Sequence, residues 1–428
     1  MPSKKKQKPW SVLIAIVLAI FIGNFTGTEA RVFGISLFET YDIIGKLFIN
    51  SLTLIVVPLV SSSIITGVAR IGSEAKFGRL GLKTFGFYAL TNFLAILIGV
   101  TLVNIIKPGV DMAIDSSHFV SPEALAELKS GAIGTTSAAF KNLLLEIIPS
   151  NVLNAFAQGN MLGLIFFSLL FGYAITKISE KSSATHMQFW TGVFQAMIHI
   201  THIILRFLPV GVFCLVAKVF AETGLGSLRS VGLFFVTVVL GLVIFVLIVL
   251  PLLLKMIAKV NPWNQFRAMA PALITAFSTS SSSASLPITL DCMEKRAGVS
   301  NKICSLVIPL GTSINLSGSA LYEGMAALFI AQAFGLELSF GTQIAFTVFT
   351  LLASMGVAGV PAGSLVAILI ILRTMGLPPE GIGLILAVDR ILDMFRSTTN
   401  VFSDSCCATL VAVSEGEKRI LTKKVFTE

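Results

Sequence analysis

Charge is what this chain has least of. Only 12% of its 428 residues are Asp, Glu, Lys or Arg, against roughly a quarter in water-soluble domains. Aliphatic, aromatic and cysteine residues make up 55%, and the mean hydropathy is +0.89. That balance excludes a soluble globular domain and points to a polytopic membrane protein. Cysteine is also scarce. Cys214, Cys292, Cys304, Cys406 and Cys407 show no metal-ligand spacing and read as small side chains inside helices. No small-residue cleavage site follows the first apolar run near Trp10, so that run reads as a retained helix and not a signal peptide. A catalytic histidine-serine arrangement is missing too. His199 and His202 stand three residues apart in "IHITHIIL", far from any strained serine motif, and they read as interfacial side chains.

Apolar runs long enough for about 30 Å of hydrocarbon begin near Trp10, Ile43, Thr84, Asn151, Phe189 and Val231. Two more, near Ile303 and Ile382, contain polar residues, giving an expectation of eight spans. Basic residues in short loops are retained on the cytoplasmic side. The "KKKQK" segment at Lys4, then Arg70, Lys76, Arg79 and Lys83, and later Lys177 with Lys181, Lys255 with Lys259, and the tail from Lys418, all fall inside on this count. The acidic loop after Lys107, with Asp111, Asp115, Glu123 and Glu127, falls outside. Both termini are therefore expected in the cytoplasm, with the chain in the cell membrane. The net charge of +9 reports topology and calls for no nucleic-acid partner.

Two segments break this pattern in the same way. "MAPALITAFSTSSSSASLPITLDCMEK" and "FTVFTLLASMGVAGVPAGSLVAILIILR" are each two apolar half-spans around a Ser/Pro or Gly/Pro centre. Backbone that leaves a helix at membrane depth must be buried in protein or line a watery cavity. Paired, interrupted short segments mark a transporter's binding site, so these read as two re-entrant helical hairpins whose tips meet near the midplane.

A polar helix follows each hairpin. Asp389, Asp393, Arg396, Asn400 and Asp404 are spaced 4, 3, 4 and 4 residues apart, which at about 100° per residue confines them to an arc of roughly 80°. Such a face is too costly for lipid and marks an interior pathway. In "PLGTSINLSGSALYEGMAALFIA", Asn315, Ser319 and Glu323 share a face after a stretch able to unwind.

These motifs resemble the dicarboxylate/amino acid:cation symporter family, which includes sodium-coupled glutamate and aspartate transporters. The likeness runs from "IVVPLVSSSIITGVARIG" onward and is strongest in "TSSSSASLPITL", "INLSGSALYE", "MGVAGVPAGS" and "DRILDMFRSTTNV". It implies an all-α homotrimer in membrane lipid, with eight transmembrane helices plus two re-entrant hairpins arranged as inverted repeats, working as an elevator. A scaffold would comprise residues 1–83 and, after an outer loop, the rest of 111–227. A transport domain would comprise 84–110 and 228–414, followed by a tail over 415–428. Substrate would be an acidic amino acid, held by Arg396 on its distal carboxylate and Asp393 on its ammonium group. Ser281, Ser282, Ser319, Ser397, Asn400 and the backbone at Gly359 and Val360 would complete the cage.

The same resemblance implies sodium as coupling ion. Gly311, Asn315, Asn400 and Asp404 would hold one ion, and Ser313, Ser354 and Val357 another. A third set, Tyr88, Thr91 and Asn92 with Asn315, normally includes an aspartate where this chain has Ser317. Relatives also keep an arginine at the first serine tip or next to the counterpart of Asp393, and neither position has one here. Glu323 is similar to a glutamate that carries a proton and lets potassium return on the empty carrier. "GVAGVP" would be the outer gate. Within the transporter class the alternatives are a C4-dicarboxylate or neutral amino acid symporter, and outside it an ion channel. Asp393 favours an ammonium-bearing substrate, because it would repel an additional negative charge.

Overall fold

The computed structural model describes residues 9–72, 78–110, 112, 148–158, 160–336, 338, 340–356, 363–375, 377–418 and 420–421. Among these, helices account for nearly everything, as lipid demands of backbone that must satisfy its own hydrogen bonds. A two-residue β-hairpin, Arg31–Val32 paired with Ile35–Ser36, is the one sheet among the described residues.

Helix α1 spans Pro9–Thr26, α2 Leu37–Gly72, α3 Gly78–Ile106, α4 Val152–Gln158, α5 Met161–Ile175 and α6 Glu180–Ile204. A 3-10 turn leads to α7, Leu208–Thr223, and another to α8, Ser227–Ile244, which continues through π-helical turns at Phe245–Val249 and Leu254–Ala258. Then come α9 Pro262–Thr279, α10 Ser282–Asp291, α11 Asn301–Ile314, α12 Ser317–Ala333, α13 Phe340–Gly356, α14 Gly363–Thr374 and α15 Gly383–Ser414. Four continuous helical stretches are long and apolar enough to cross a membrane: Leu37–Ala69, Arg79–Ile106, Glu180–Ala258 and Asn301–Ala333. The other expected crossings fall on shorter helices, α1 and α5, or on α15, whose charges lower its hydropathy.

Hydroxyl side chains sit in these helices at little cost because they bond the preceding turn. In α2, Ser61 and Ser62 donate to the carbonyls of Val57 and Pro58 at 2.8 and 2.6 Å, beside the proline whose missing N–H interrupts the ladder.

Two groups of helices pack together. In one, α1 lies on α7, and α2 runs against α5, α6 and α7. In the other, α3 packs on α12 and α13, α9 on α10 and α15, and α11 and α12 on α15, with α14 against α12. The groups touch where α15 meets α7. A Cβ on Gly383 would stand 3.0 Å from the Leu215 carbonyl oxygen, so glycine is what allows this approach.

The first hairpin is α9 and α10, turning at Ser280 with left-handed backbone, φ 49°. Arms α13 and α14 form the second and pack on each other. Its tip, with Val357, Gly359 and Val360, lies outside the described residues.

The segment after α15 is a strap. Leu421 donates its N–H to the Ala297 carbonyl at 2.8 Å and accepts from Asn264 at 2.9 Å. Glu417 caps the start of α11 through Ser300, and Lys83 of α3 pairs with Glu415. Ile420 and Leu421 are buried against Leu80, Met269, Met293 and Val299. The Lys83 ammonium holds the Glu415 carboxyl below its usual range, so that pair's contribution is present above the carboxylate range and lost as pH falls through the lowered value. Replacing Ile420 and Leu421 by serine is expected to remove about 1.5–3 kcal/mol per side chain and to lower the unfolding midpoint of the detergent-solubilised protein. Glu415→Gln, which breaks a partly exposed pair, should cost under about 1 kcal/mol.

Candidate substrate and cation site

The site exists because α11 stops at membrane depth and α12 starts again two residues later. Asn315 and Leu316 leave the helix with ψ of 63° and 53°. Pro309 one turn before the end of α11 weakens the ladder there. Two glycines then let neighbouring chains approach. A Cβ on Gly318 would lie 2.9 Å from the Arg396 carbonyl oxygen, and one on Gly311 would lie 2.5 Å from Asp404 Oδ1. The first N–H groups of α12 can therefore reach α15: Gly318 and Ser319 donate to Asn400 Oδ1 at 2.8 and 3.3 Å, and Asn400 Nδ2 donates to Ser319 Oγ at 3.2 Å.

Arg396 is the largest buried charged side chain, 2% exposed. Its Nη2 donates to Asp389 Oδ1 and Asp393 Oδ1, each at 3.0 Å. Beneath the guanidinium lies the Tyr322 ring, 4.0 Å from centroid to carbon, a cation–π contact whose strength grows on desolvation. Among the described residues Nε and Nη1 have no hydrogen-bond partner. A buried guanidinium with two idle donors, on Nε and Nη1, has hydrogen-bonding capacity left for an anion such as a carboxylate. Ser397 is buried beside it on α15. Phe277 of α9 meets Phe395 edge to face at 5.4 Å, bringing the first hairpin tip to this face. There Ser281 caps α10 by accepting from the Ala284 N–H at 3.2 Å, and Ser282 is buried.

A second polar cluster lies along α15. Asn315 Nδ2 donates to Asp404 Oδ1 at 2.9 Å and to Ser403 Oγ at 3.2 Å. Its Oδ1 accepts from Thr91 of α3 at 2.9 Å and from Ser317 at 3.0 Å. Ser317 also donates to Asn92 Oδ1 at 2.8 Å. Tyr88 donates to the Val307 carbonyl. The other carboxylate oxygen, Asp404 Oδ2, is buried without a partner. An orphan carboxylate oxygen in a cluster of amide and hydroxyl groups, where Gly311 lets α11 close on Asp404, fits a hard monovalent cation, which takes oxygen ligands. Ser313 and Ser354 stand on α11 and α13, which pack together. Ser354 is buried, and Ser313 lines a cavity of about 280 Å³ between these helices and α2, α5 and α6.

Among the described residues, hydrogen bonds thus join Asp393 to Arg396, Ser319 to Asn400, and Thr91, Asn92 and Asp404 to Asn315 and Ser317, while Ser313, Ser354 and Glu323 are not hydrogen-bonded into these groups. Glu323 is buried on α12, with Ser364 of α14 against one carboxyl oxygen and Oε2 unpartnered. His199 and His202 are exposed on α6, where His202 Nδ1 meets the Ile198 carbonyl. Four neighbours of these groups were not anticipated as site residues: Asp389, Tyr322 and Ser403, and Cys407, whose Sγ lies 3.7 Å from Thr91 Oγ1 and from Asn315 Nδ2. The absent arginine next to Asp393 has a replacement, since Arg390 Nη1 lies 3.4 Å from Asp393 Oδ2. Spacing of three along a helix was the available signal.

A family model described as the Sodium:dicarboxylate symporter family matches residues 9–414. The chain belongs to that family. Similar members include the proton/glutamate-aspartate symporter of Escherichia coli strain K12, 34% identical over 419 residues, covering 96% of this chain and 94% of that one. The proton/sodium-glutamate symport protein of Bacillus caldotenax is 34% identical over 413 residues, covering 95% and 94%. Excitatory amino acid transporter 3 of Mus musculus is 34% identical over 436 residues, covering 92% and 83%. The matched residues include both clusters.

Gly311→Ala forces a methyl group against the Asp404 carboxylate, which must shift. It is expected to raise the sodium concentration for half-maximal substrate binding about tenfold, the effect of ~1.4 kcal/mol. Gly67→Ala, whose Cβ meets only Ile314 at an ordinary 3.6 Å, should leave it unchanged.

Proposed function

We propose that this chain is a secondary active symporter that takes up an acidic amino acid, glutamate or aspartate, with sodium, and that it is not an enzyme. The observation that carries this reading is Arg396: a desolvated guanidinium with two idle donors, one turn from an aspartate suited to an ammonium group. The family relatives named for glutamate and aspartate transport support the same substrate class. The substrate's distal carboxylate takes Arg396, its ammonium takes Asp393, and Asn400 with Ser319, Ser397 and the serines of the first tip positions the rest. Gly359 and Val360 of the second tip close over it.

Sodium is cargo. An Asp404 carboxylate buried without a counter-charge is costly, and sodium at Gly311, Asn315, Asn400 and Asp404 removes that cost. Because Asn400 also holds Ser319, ordering by the cation organises the substrate wall, which couples the two. A second ion would use Ser313, Ser354 and Val357. At the third set the hydroxyl of Ser317 knits Asn92, Asn315 and Ser403 into a neutral network, which argues for fewer than three sodium ions. Glu323, buried with an unpartnered oxygen, is the group suited to carry a proton with substrate and to permit potassium return.

The movement we propose is an elevator. Residues 1–83 and the spans within 111–227 form a fixed scaffold in a homotrimer in the cell membrane, and 84–110 with 228–414 slide against it. Both termini are cytoplasmic. The test is gradient-driven uptake into proteoliposomes of labelled aspartate, glutamate, serine and succinate, in wild type, Arg396→Cys and Glu323→Gln, from pH 5.5 to 8.5 with and without internal potassium. Wild type should accumulate the acidic amino acids under a sodium gradient. Arg396→Cys should lose aspartate at least about 100-fold relative to serine, the cost of breaking a buried pair on one side. Glu323→Gln should lose the pH and potassium dependence. Accumulation of succinate but not aspartate would replace the substrate class, and currents without accumulation would favour a channel.

A further inference from the structure

Asp393 faces two guanidinium groups. Arg396 Nη2 donates to Oδ1 at 3.0 Å and Arg390 Nη1 approaches Oδ2 at 3.4 Å, so an incoming ammonium group meets a carboxylate that already has a cation at each oxygen. Of the two cations, Arg396 is fixed: it is 2% exposed, bonded also to Asp389 and stacked on Tyr322. Arg390 is held loosely, with a longer contact and 29% of its side chain exposed. The charges facing this point are Asp389, Asp393, Arg390 and Arg396 on α15, with Glu323 of α12 acting electrostatically on Arg396. Around Asp393 itself, two carboxylates and two guanidiniums cancel.

We propose that Arg390 is a resident counter-cation for Asp393, displaced by the substrate's ammonium group and restored when the substrate leaves. This rests on the symporter reading and on movement of the site across the membrane. In the loaded carrier the ammonium replaces Arg390 on Oδ2. The empty carrier must return with its carboxylates inside the helical bundle, and Arg390 keeps Asp393 compensated on that passage. An uncompensated charge inside the membrane would slow the return. Arg390 is therefore a positioning residue that trades substrate affinity for turnover, because it competes for the oxygen the substrate needs.

Homo-exchange separates this role from a structural one, because a carrier with aspartate on both sides never needs to return empty. With purified protein in sodium-containing proteoliposomes, Arg390→Gln is expected to slow net aspartate uptake into substrate-free vesicles about tenfold, as expected when a desolvated charge loses its partner. Exchange into aspartate-loaded vesicles should stay within about twofold of wild type, with a lower half-saturation concentration once the competitor is gone. Arg390→Lys should restore net uptake. Net uptake unchanged in Arg390→Gln would overturn the proposal, and so would equal loss of uptake and exchange. A wild type that neither takes up nor exchanges aspartate would overturn the symporter reading beneath it.

Discussion

A guanidinium removed from water needs its partners arranged before anything else in the bundle can settle. Arg396 has a 2% exposed side chain among membrane-spanning helices, and Asp389, Asp393 and the Tyr322 ring answer it. Those partners fix the rotation of α15, with Asp389 and Arg396 two turns apart on one face, and the position of α12, which supplies the ring. Once α15 is so oriented, Asn400 and Asp404 must face the same interior. The break between α11 and α12 then brings backbone N–H groups to Asn400 and the Asn315 side chain to Asp404.

The two clusters differ in how they are satisfied. Around Arg396 the charges are paired but two donors are spare, which leaves room for an anion. Around Asp404 one oxygen is spare, which leaves room for a cation. Ser317 makes the second cluster less negative than an aspartate there would, and it turns a potential ligand group into a hydrogen-bonded bridge from α3 to α15. The close approaches depend on small residues, as interfaces between helices in lipid generally do.

Much of this was legible in the sequence because charge in a membrane is conspicuous. The spacing of Asp389, Asp393, Arg396, Asn400 and Asp404 placed one polar face on α15, and the interrupted segments marked hairpins. Contacts made across helices were not legible. Tyr322 reaches Arg396 from a helix 74 positions earlier in sequence number, and nothing in its local pattern distinguishes it from an interfacial tyrosine. Arg390 falls outside the narrow arc of the polar face, and only its long side chain brings it to Asp393. The strap after α15 is short and mixed in polarity, so it read as a free tail, while the structure buries Ile420 and Leu421. Helix count was obscured because α6, α7 and α8 follow one another through 3-10 turns without a conspicuous loop.

The central claim is that the Arg396 and Asp404 clusters form one coupled site for an acidic amino acid and sodium. Calorimetric titration of aspartate and succinate into the purified, detergent-solubilised protein over a range of sodium concentrations tests it without requiring transport. Aspartate should bind more tightly as sodium rises, by at least tenfold for each tenfold increase in sodium if one or more ions bind with it, and succinate should bind far more weakly at every concentration. Aspartate affinity independent of sodium, or succinate binding as tightly as aspartate, would contradict the account.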